Sequence, residues 1–276
     1  EWIEGCNKMD LVIVPSEHSK RGFTQTIYDA MQNLPDGSQQ KTGEHKINKP
    51  IEVLFEGVDL NTFYQKEKIG EQIDEKINKL VKEDFAFLFV GLWGKGDYGE
   101  DRKDISKMIK VFYESFANKQ KQPALILKTN GVGFSILDYN ETKRKIKMIK
   151  SKFPSNYKLP NVYLLHGEGF GRPLLEFSLS GKPIIASGWS GQLDFLNNDH
   201  SILLPGNLEN VPKSQVWKHI IVENSKWFNI NEDKAYDALN YVYKNYFDLK
   251  IKSKKLSVIN KEKFSIFFNL GNFNSC

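Results

Sequence analysis

The stretch His166-Gly167-Glu168-Gly169-Phe170-Gly171-Arg172-Pro173-Leu174-Leu175-Glu176 directly follows the apolar run Val162-Tyr163-Leu164-Leu165. The run has the length and continuity of a buried strand. Pro173 belongs in the first turn of a helix, where its missing N–H costs nothing. The segment is therefore expected to be a strand, a glycine-rich turn and a helix over about residues 172–180, with Gly181 as its C-cap. The first N–H groups of a helix lack internal partners and carry partial positive charge. Gly169 and Gly171 have no Cβ and let a ligand approach the backbone. Such a turn suits an anion, a phosphate above all. Glu168 and Glu176 flank it, eight residues apart. At about 1.5 Å of rise per helical residue they stand on the order of 10 Å from one another, roughly the span of a sugar–diphosphate–ribose unit. One carboxylate would then accept sugar hydroxyls and the other ribose hydroxyls, with the diphosphate between them. The plainer alternative is a tight strand-to-helix turn with glycines for packing and two solvated glutamates.

The same alternation extends in both directions. Strands are expected at Leu11-Val14, Ile51-Phe55, Phe85-Val90, Ala124-Leu127 and Pro183-Ala186. Between and beyond them lie helix-length amphipathic stretches: from an N-cap at Ser16 to about Met31, within 61–84, and near 103–118, 141–151 and 232–247. Leu34 to Lys49 is polar and turn-rich and reads as a loop or linker. Apolar strands separated by amphipathic helices predict an α/β fold, a Rossmann-like parallel sheet with helices on both faces. Ligands bind such sheets at the carboxyl ends of the strands.

A second glycine-rich segment, Gly91 to Gly99, follows the strand ending at Val90. It does not match a P-loop, because Lys95 is followed by Gly96, and it lacks the acidic ribose partner of a dinucleotide fingerprint. Arg102 and Lys103 stand near the start of the next helix. Cations there oppose the helix dipole by roughly 0.3–1 kcal/mol each, and an anionic ligand would offset that; the alternative is that both are simply solvated. Trp189-Ser190-Gly191-Gln192-Leu193-Asp194-Phe195 follows another strand end, either bordering the same crevice or forming an ordinary surface loop. His166 is a ligand donor or a structural strand-end residue. Asp-x-Asp, His-x-x-x-His and Gly-x-Ser-x-Gly patterns are absent from the sequence.

Composition narrows the class. The chain has 276 residues, 40% hydrophobic and 26% charged, enough to bury a core without staples. Its two cysteines, Cys6 and Cys276, support neither a disulfide framework nor a Cys-based zinc site, so a reducing, cytoplasmic setting is expected. No apolar run is long enough for a transmembrane helix, and Glu1-Gly5 lacks the features of a signal peptide. The absence of an initiator Met gives the start the look of a chain interior. The net charge of +5 is mild, and no nucleic-acid-binding motif accompanies it. The densest basic run, Lys143 to Lys152, is either a solvated helix face or a weak peripheral membrane contact.

Gly167-Glu168-Gly169-Phe170-Gly171-Arg172-Pro173 through Glu176 resembles the Glu-x7-Glu motif of retaining GT-B glycosyltransferases of the "glycosyl transferases group 1" type. Gly181 to Ser187 is similar to the strand that follows that motif. Phe89-Val90-Gly91 with Arg102-Lys103 resembles the family's glycine turn and phosphate-binding lysine. Phe55-Glu56-Gly57-Val58-Asp59 is similar to its linker, and Asp10 to Ser16 to the last strand and turn of its N-terminal domain. The resemblance covers about residues 1–205.

What the resemblance implies is a GT-B fold with an incomplete N-terminal domain: residues 1–50 its end and linker, 51–228 a nucleotide-sugar-binding domain, 229–276 a C-terminal helix and basic tail. It implies transfer of a sugar from a nucleotide sugar to a glycan, lipid or protein acceptor, with retention, without a metal, and with no cofactor beyond the nucleotide sugar as co-substrate. Glu168 and Lys103 would be catalytic. Arg102, Lys95, Gly167, Gly169, Phe170, Gly171, Glu176, Ser190 and Gly191 would hold the donor. Three departures stand out. Most of an N-terminal domain is not in the sequence, Leu92 replaces the usual arginine after the glycine turn, and the helix and strand expected between Leu165 and His166 are missing. A GT-B-fold epimerase or phosphorylase, or a non-catalytic nucleotide-binding or scaffolding subunit, are the alternatives.

Overall fold

The computed structural model describes residues 2–66, 71–94, 96, 98–129, 136–166, 173–217 and 220–265. They fall into two compact units, the first of Glu1–Phe63, Trp189–Leu196 and Val258–Cys276, the second of Tyr64–Gly188 and Asn197–Ser257.

The first unit opens with α1 (Trp2–Cys6), β1 (Val12–Val14) and α2 (Glu17–Thr24). Ser16 caps α2 as its sequence position predicts: its Oγ accepts the Ser19 N–H at 3.1 Å. The helix stops at Thr24 rather than near Met31. Beyond it β2 (Tyr28–Asn33) and β3 (Gln39–His45) form an antiparallel hairpin where a loop was expected. The cause is local. Ser38 donates its N–H to Asp36 Oδ1 at 2.9 Å, and Gly37 takes a φ of +84°, which closes the turn. β4 (Ile51–Val53) then pairs in parallel with β1, Val12 opposite Ile51 and Val14 opposite Val53. Val58 N–H bonds Phe264 O at 2.8 Å, and the Phe264 ring meets Phe55 edge-on at 5.2 Å.

The second unit carries α3 (Glu71–Leu80), β5 (Ala86–Val90), α4 (Ile105–Phe116), β6 (Ala124–Thr129), α5 (Ile136–Lys150), β7 (Val162–His166), α6 (Pro173–Ser178) and β8 (Ile185–Ser187). β9 (Ile202–Leu204), β10 (Gly206–Asn210), β11 (Lys226–Ile230), α7 (Glu232–Lys244) and α8 (Tyr246–Phe264) complete the chain. β5, β6 and β7 form a parallel sheet in that order, with Leu88 opposite Ile126 and Ile126 opposite Tyr163. β8 and β9 pair in parallel, and β10 and β11 form an antiparallel hairpin. This is the predicted strand–helix alternation. The core lies where α4 meets the sheet: Ile105, Ile109, Phe112 and Phe116 are fully buried against Leu125 and Leu127. Each such side chain contributes about 1.5–3 kcal/mol of burial.

Candidate functional site

The carboxyl end of β5 leads into the glycine-rich segment, and the fold holds that segment from several sides. Trp93 is buried. Lys145 of α5 places Nζ 5.3 Å above the Trp93 ring and 3.4 Å from Gly94 O. Lys152 sets Nζ 3.5 Å from the Tyr98 ring centroid. Gly99 donates its N–H to Ser106 Oγ at 2.9 Å, and Ser214 Oγ donates to Glu100 Oε2 at 2.8 Å. Gly96 has a φ of +124°, and a Cβ there would lie 2.7 Å from Gln215 Nε2. Lys145 and Lys152 therefore spend their charge within the fold, and the free cationic face of the 143–152 run is narrower than its sequence suggests.

Five consecutive charges, Glu100 to Asp104, follow the segment. Asp101 is buried, and its Oδ1 accepts the N–H groups of Lys103 and Ile105, each at 3.2 Å. Ser106 Oγ lies 3.4 Å from its Oδ2. This carboxylate satisfies the first amide of α4, that of Ile105, and opposes the helix dipole favourably. The sequence sets only Arg102 and Lys103 against this dipole, offset by an anionic ligand or by solvent; the structure adds Asp101, whose position four residues before the first apolar helix position is a readable signal. Asp104, at the usual N-cap position, makes no cap bond and sits at φ +51°, ψ 34°, the left-handed region. Arg102 and Lys103 are exposed. The protein surface around Lys103 and the neighbouring Arg102 charge push its ammonium below the ordinary lysine range. Among the described residues no carboxylate contributes to its charge balance.

Glu176 is half-buried in the first turn of α6. Gly181 closes that segment at φ +65°, with its N–H on Ser178 O at 3.2 Å, as the C-cap expectation required. Lys95, Gly167, Glu168, Gly169, Phe170 and Gly171 lie outside the described residues, as does the side chain of His166. Arg102, Lys103 and Glu176 belong to the second unit, and Ser190 and Gly191 to the first.

The 189–195 segment is packed against the start of α2. Ser190 adopts φ 73°, ψ −167°, a region open to glycine and strained for any other residue. Gly191 follows it into a short 3₁₀ turn, Gly191–Asp194, where an added Cβ would meet Ser16 Cβ at 3.0 Å. Asp194 Oδ2 accepts the Glu17 N–H at 3.1 Å, and Trp189 meets His18 edge-on at 5.3 Å. Burial pushes the Asp194 carboxyl above the usual range, against the pull of that N–H. Among the described residues no cluster of three His, Cys, Asp or Glu side chains is set to hold a metal, and no helix is long and apolar enough to cross a membrane.

No protein family and no curated protein matches the chain by sequence. Solved structures do match it. HepE of Anabaena, in complex with UDP and glucose, is similar over 99% of this chain and 65% of its own, at 14% identity and a TM-score of 0.58. A glycosyltransferase from Rickettsia africae is similar over the same shares, at 12% identity and a TM-score of 0.64. Sucrose-phosphate synthase from Thermosynechococcus elongatus matches over 99% of this chain and 59% of its own, at 12% identity and a TM-score of 0.59. The chain thus spans less than two thirds of the length of each of these proteins. At such identities the likeness speaks for the fold alone, and the fold is of the GT-B type.

Proposed function

We propose that the protein transfers a sugar from a nucleotide-sugar donor to a glycan, lipid or protein acceptor, with retention and without a metal ion. One observation carries this. Arg102 and Lys103 lie on the surface beyond the carboxyl end of β5, beside a helix start whose first amide, that of Ile105, Asp101 already occupies. Their charge is available to an external anion. Similarity to HepE, solved with UDP and with UDP-glucose, supports a nucleoside diphosphate as that anion.

The chemistry follows from where charge develops. Departure of the nucleotide places negative charge on the β-phosphate while the sugar becomes cationic. Fixed cations aimed at the phosphate lower that barrier. One ammonium at ~4 Å from a phosphate oxygen gains about 4 kcal/mol per unit charge at an effective dielectric near 20, before desolvation. The lowered proton affinity of Lys103 marks a cation whose environment is improved by a bound anion. In this proposal Glu168 faces the transferred sugar, where a carboxylate stabilises an oxocarbenium-like centre. Glu176 holds the ribose. Gly167, Gly169, Phe170 and Gly171 with Lys95 are assigned to the diphosphate, and Ser190 and Gly191 to donor binding. The donor-binding part is residues 51–228, and the setting is cytoplasmic.

The experiment is calorimetric titration with UDP and other nucleoside diphosphates, then donor turnover with and without a chelator. Lys103→Ala is expected to weaken nucleotide binding at least tenfold. Glu168→Ala is expected to abolish turnover and retain binding. Failure to bind any nucleotide, or full turnover by Glu168→Ala, would overturn the proposal. Binding without turnover identifies a non-catalytic subunit, and inversion of the donor sugar identifies an epimerase.

A further inference from the structure

Helix α8 is apolar on two opposite sides. Its inward side is Leu249, Ser253, Leu256 and Ser257, all buried, with Ser257 Oγ donating to Leu179 O at 2.9 Å. On the outward side Phe247 is 80% exposed and Ile251 62% exposed. The two stand four residues apart, so they lie on one line along the helix. Phe247 does not fold back into the core. Its neighbour Tyr246 takes that place, meeting Phe85 edge-on at 5.2 Å. At 3.6 residues per turn, Lys250 and Lys254 flank the Phe247–Ile251 line on one side, and Lys252 and Lys255 on the other, where the exposed Asp248 lies between them and leaves that margin with an excess of one cation. None of the ion pairs among the described residues uses any of these four lysines.

We propose that this face of α8 is a docking surface for an anionic lipid bilayer. An apolar midline with cations on both margins matches the headgroup boundary. Phe247 and Ile251 enter the acyl edge, and the lysines keep their stems alongside while their ammonium groups reach lipid phosphates. A second copy of this chain is a poor occupant, because the symmetric contact would bring two rows of uncompensated lysines together. The surface is distinct from the 143–152 run of α5, two of whose lysines are engaged within the fold. The proposal is independent of glycosyl transfer.

The test is co-sedimentation of the protein with phosphatidylcholine vesicles, with and without phosphatidylglycerol, at low and high salt. Wild type is expected to bind the mixed vesicles at low salt and not the neutral ones. Lys252→Gln with Lys255→Gln is expected to weaken binding by about 30-fold, on the order of 5-fold for each lysine near the surface. Phe247→Ser with Ile251→Ser should abolish it, while Lys143→Gln with Lys147→Gln leaves it unchanged. All six sites are exposed, so thermal stability should hold in every variant. Absence of binding, binding insensitive to the α8 variants, or loss through the α5 pair instead would each overturn the proposal. So would self-association of wild type, without vesicle binding, that Phe247→Ser with Ile251→Ser dissolves.

Discussion

Asp101 Oδ1 accepts the backbone N–H of Ile105 at 3.2 Å from a fully buried position. The carboxylate reaches four residues forward to the first turn of α4, and the chain between turns Arg102 and Lys103 outward. Replacing Asp101 by Ala removes the acceptor for two amides and a cap. We expect a loss of about 2–3 kcal/mol, read from urea unfolding, and a smaller loss of about 1 kcal/mol for Asp101→Asn, which keeps an acceptor oxygen. An Asp101→Ala protein as stable as wild type would show that the cap is dispensable.

Gly206 faces Ile230 across the β10–β11 hairpin, and a Cβ there would lie 2.1 Å from Asn229 O and 2.9 Å from Ile230 Cα. Both are backbone atoms and cannot swing away. Gly206→Ala should therefore spread the hairpin and cost about 3 kcal/mol or more, seen as a large drop in Tm. A drop of only a degree or two would mean that the strands separate freely.

Ser190 presents the opposite case. Its φ of 73° with ψ −167° is a glycine conformation carried by a serine. Ser190→Gly should stabilise the protein by about 1 kcal/mol in the urea midpoint, the strain relieved being partly offset by the greater freedom of glycine in the unfolded chain. An unchanged or lower midpoint would show that contacts of the Ser190 side chain outweigh the strain.

For Lys103 the sign of the pH effect is fixed by the direction of its shift. Its ammonium is held below the ordinary lysine range, so the free folded protein releases this proton at a lower pH than the unfolded chain does. The stability deficit from holding this charge is present below the folded pKa and relieved as pH rises through it. A bound diphosphate favours the ammonium and raises the pKa again. Nucleotide binding in the alkaline range should therefore take up a proton, and at lower pH should not. Calorimetry in two buffers of different ionisation enthalpy reads the uptake, and Lys103→Arg should remove it. Proton-neutral binding at every alkaline pH would place the diphosphate away from Lys103.

Much of the fold was legible because burial writes itself into the chain. Phe85–Val90, Ala124–Leu127 and Val162–Leu165 are continuous apolar runs and each holds a parallel strand, although Leu88 and Leu165 stay partly in solvent. Ser16 and Gly181 were legible because caps have strict chemistry. The β2–β3 hairpin was not. Every residue of β3 is exposed, so Gln39–His45 carries no apolar alternation, and the one signal was the Asp36-Gly37 turn. β10 and β11 escaped for a related reason, since most of β10 faces solvent. In the candidate site the outward cations were legible from spacing. The inward carboxylate of Asp101 was not, because sequence shows that a charge exists and not which way it faces.

Glu100, Asp101, Arg102, Lys103 and Asp104 hold three acids and two cations, close to charge balance, and only the cations are exposed. Seen from beyond a Debye length, about 8 Å at physiological salt, such a cluster exerts almost no field. Its attraction develops only on contact. The cluster would thus add little of its own to the steering of an anionic ligand, and its share of tight binding would be expressed as slow departure rather than fast arrival.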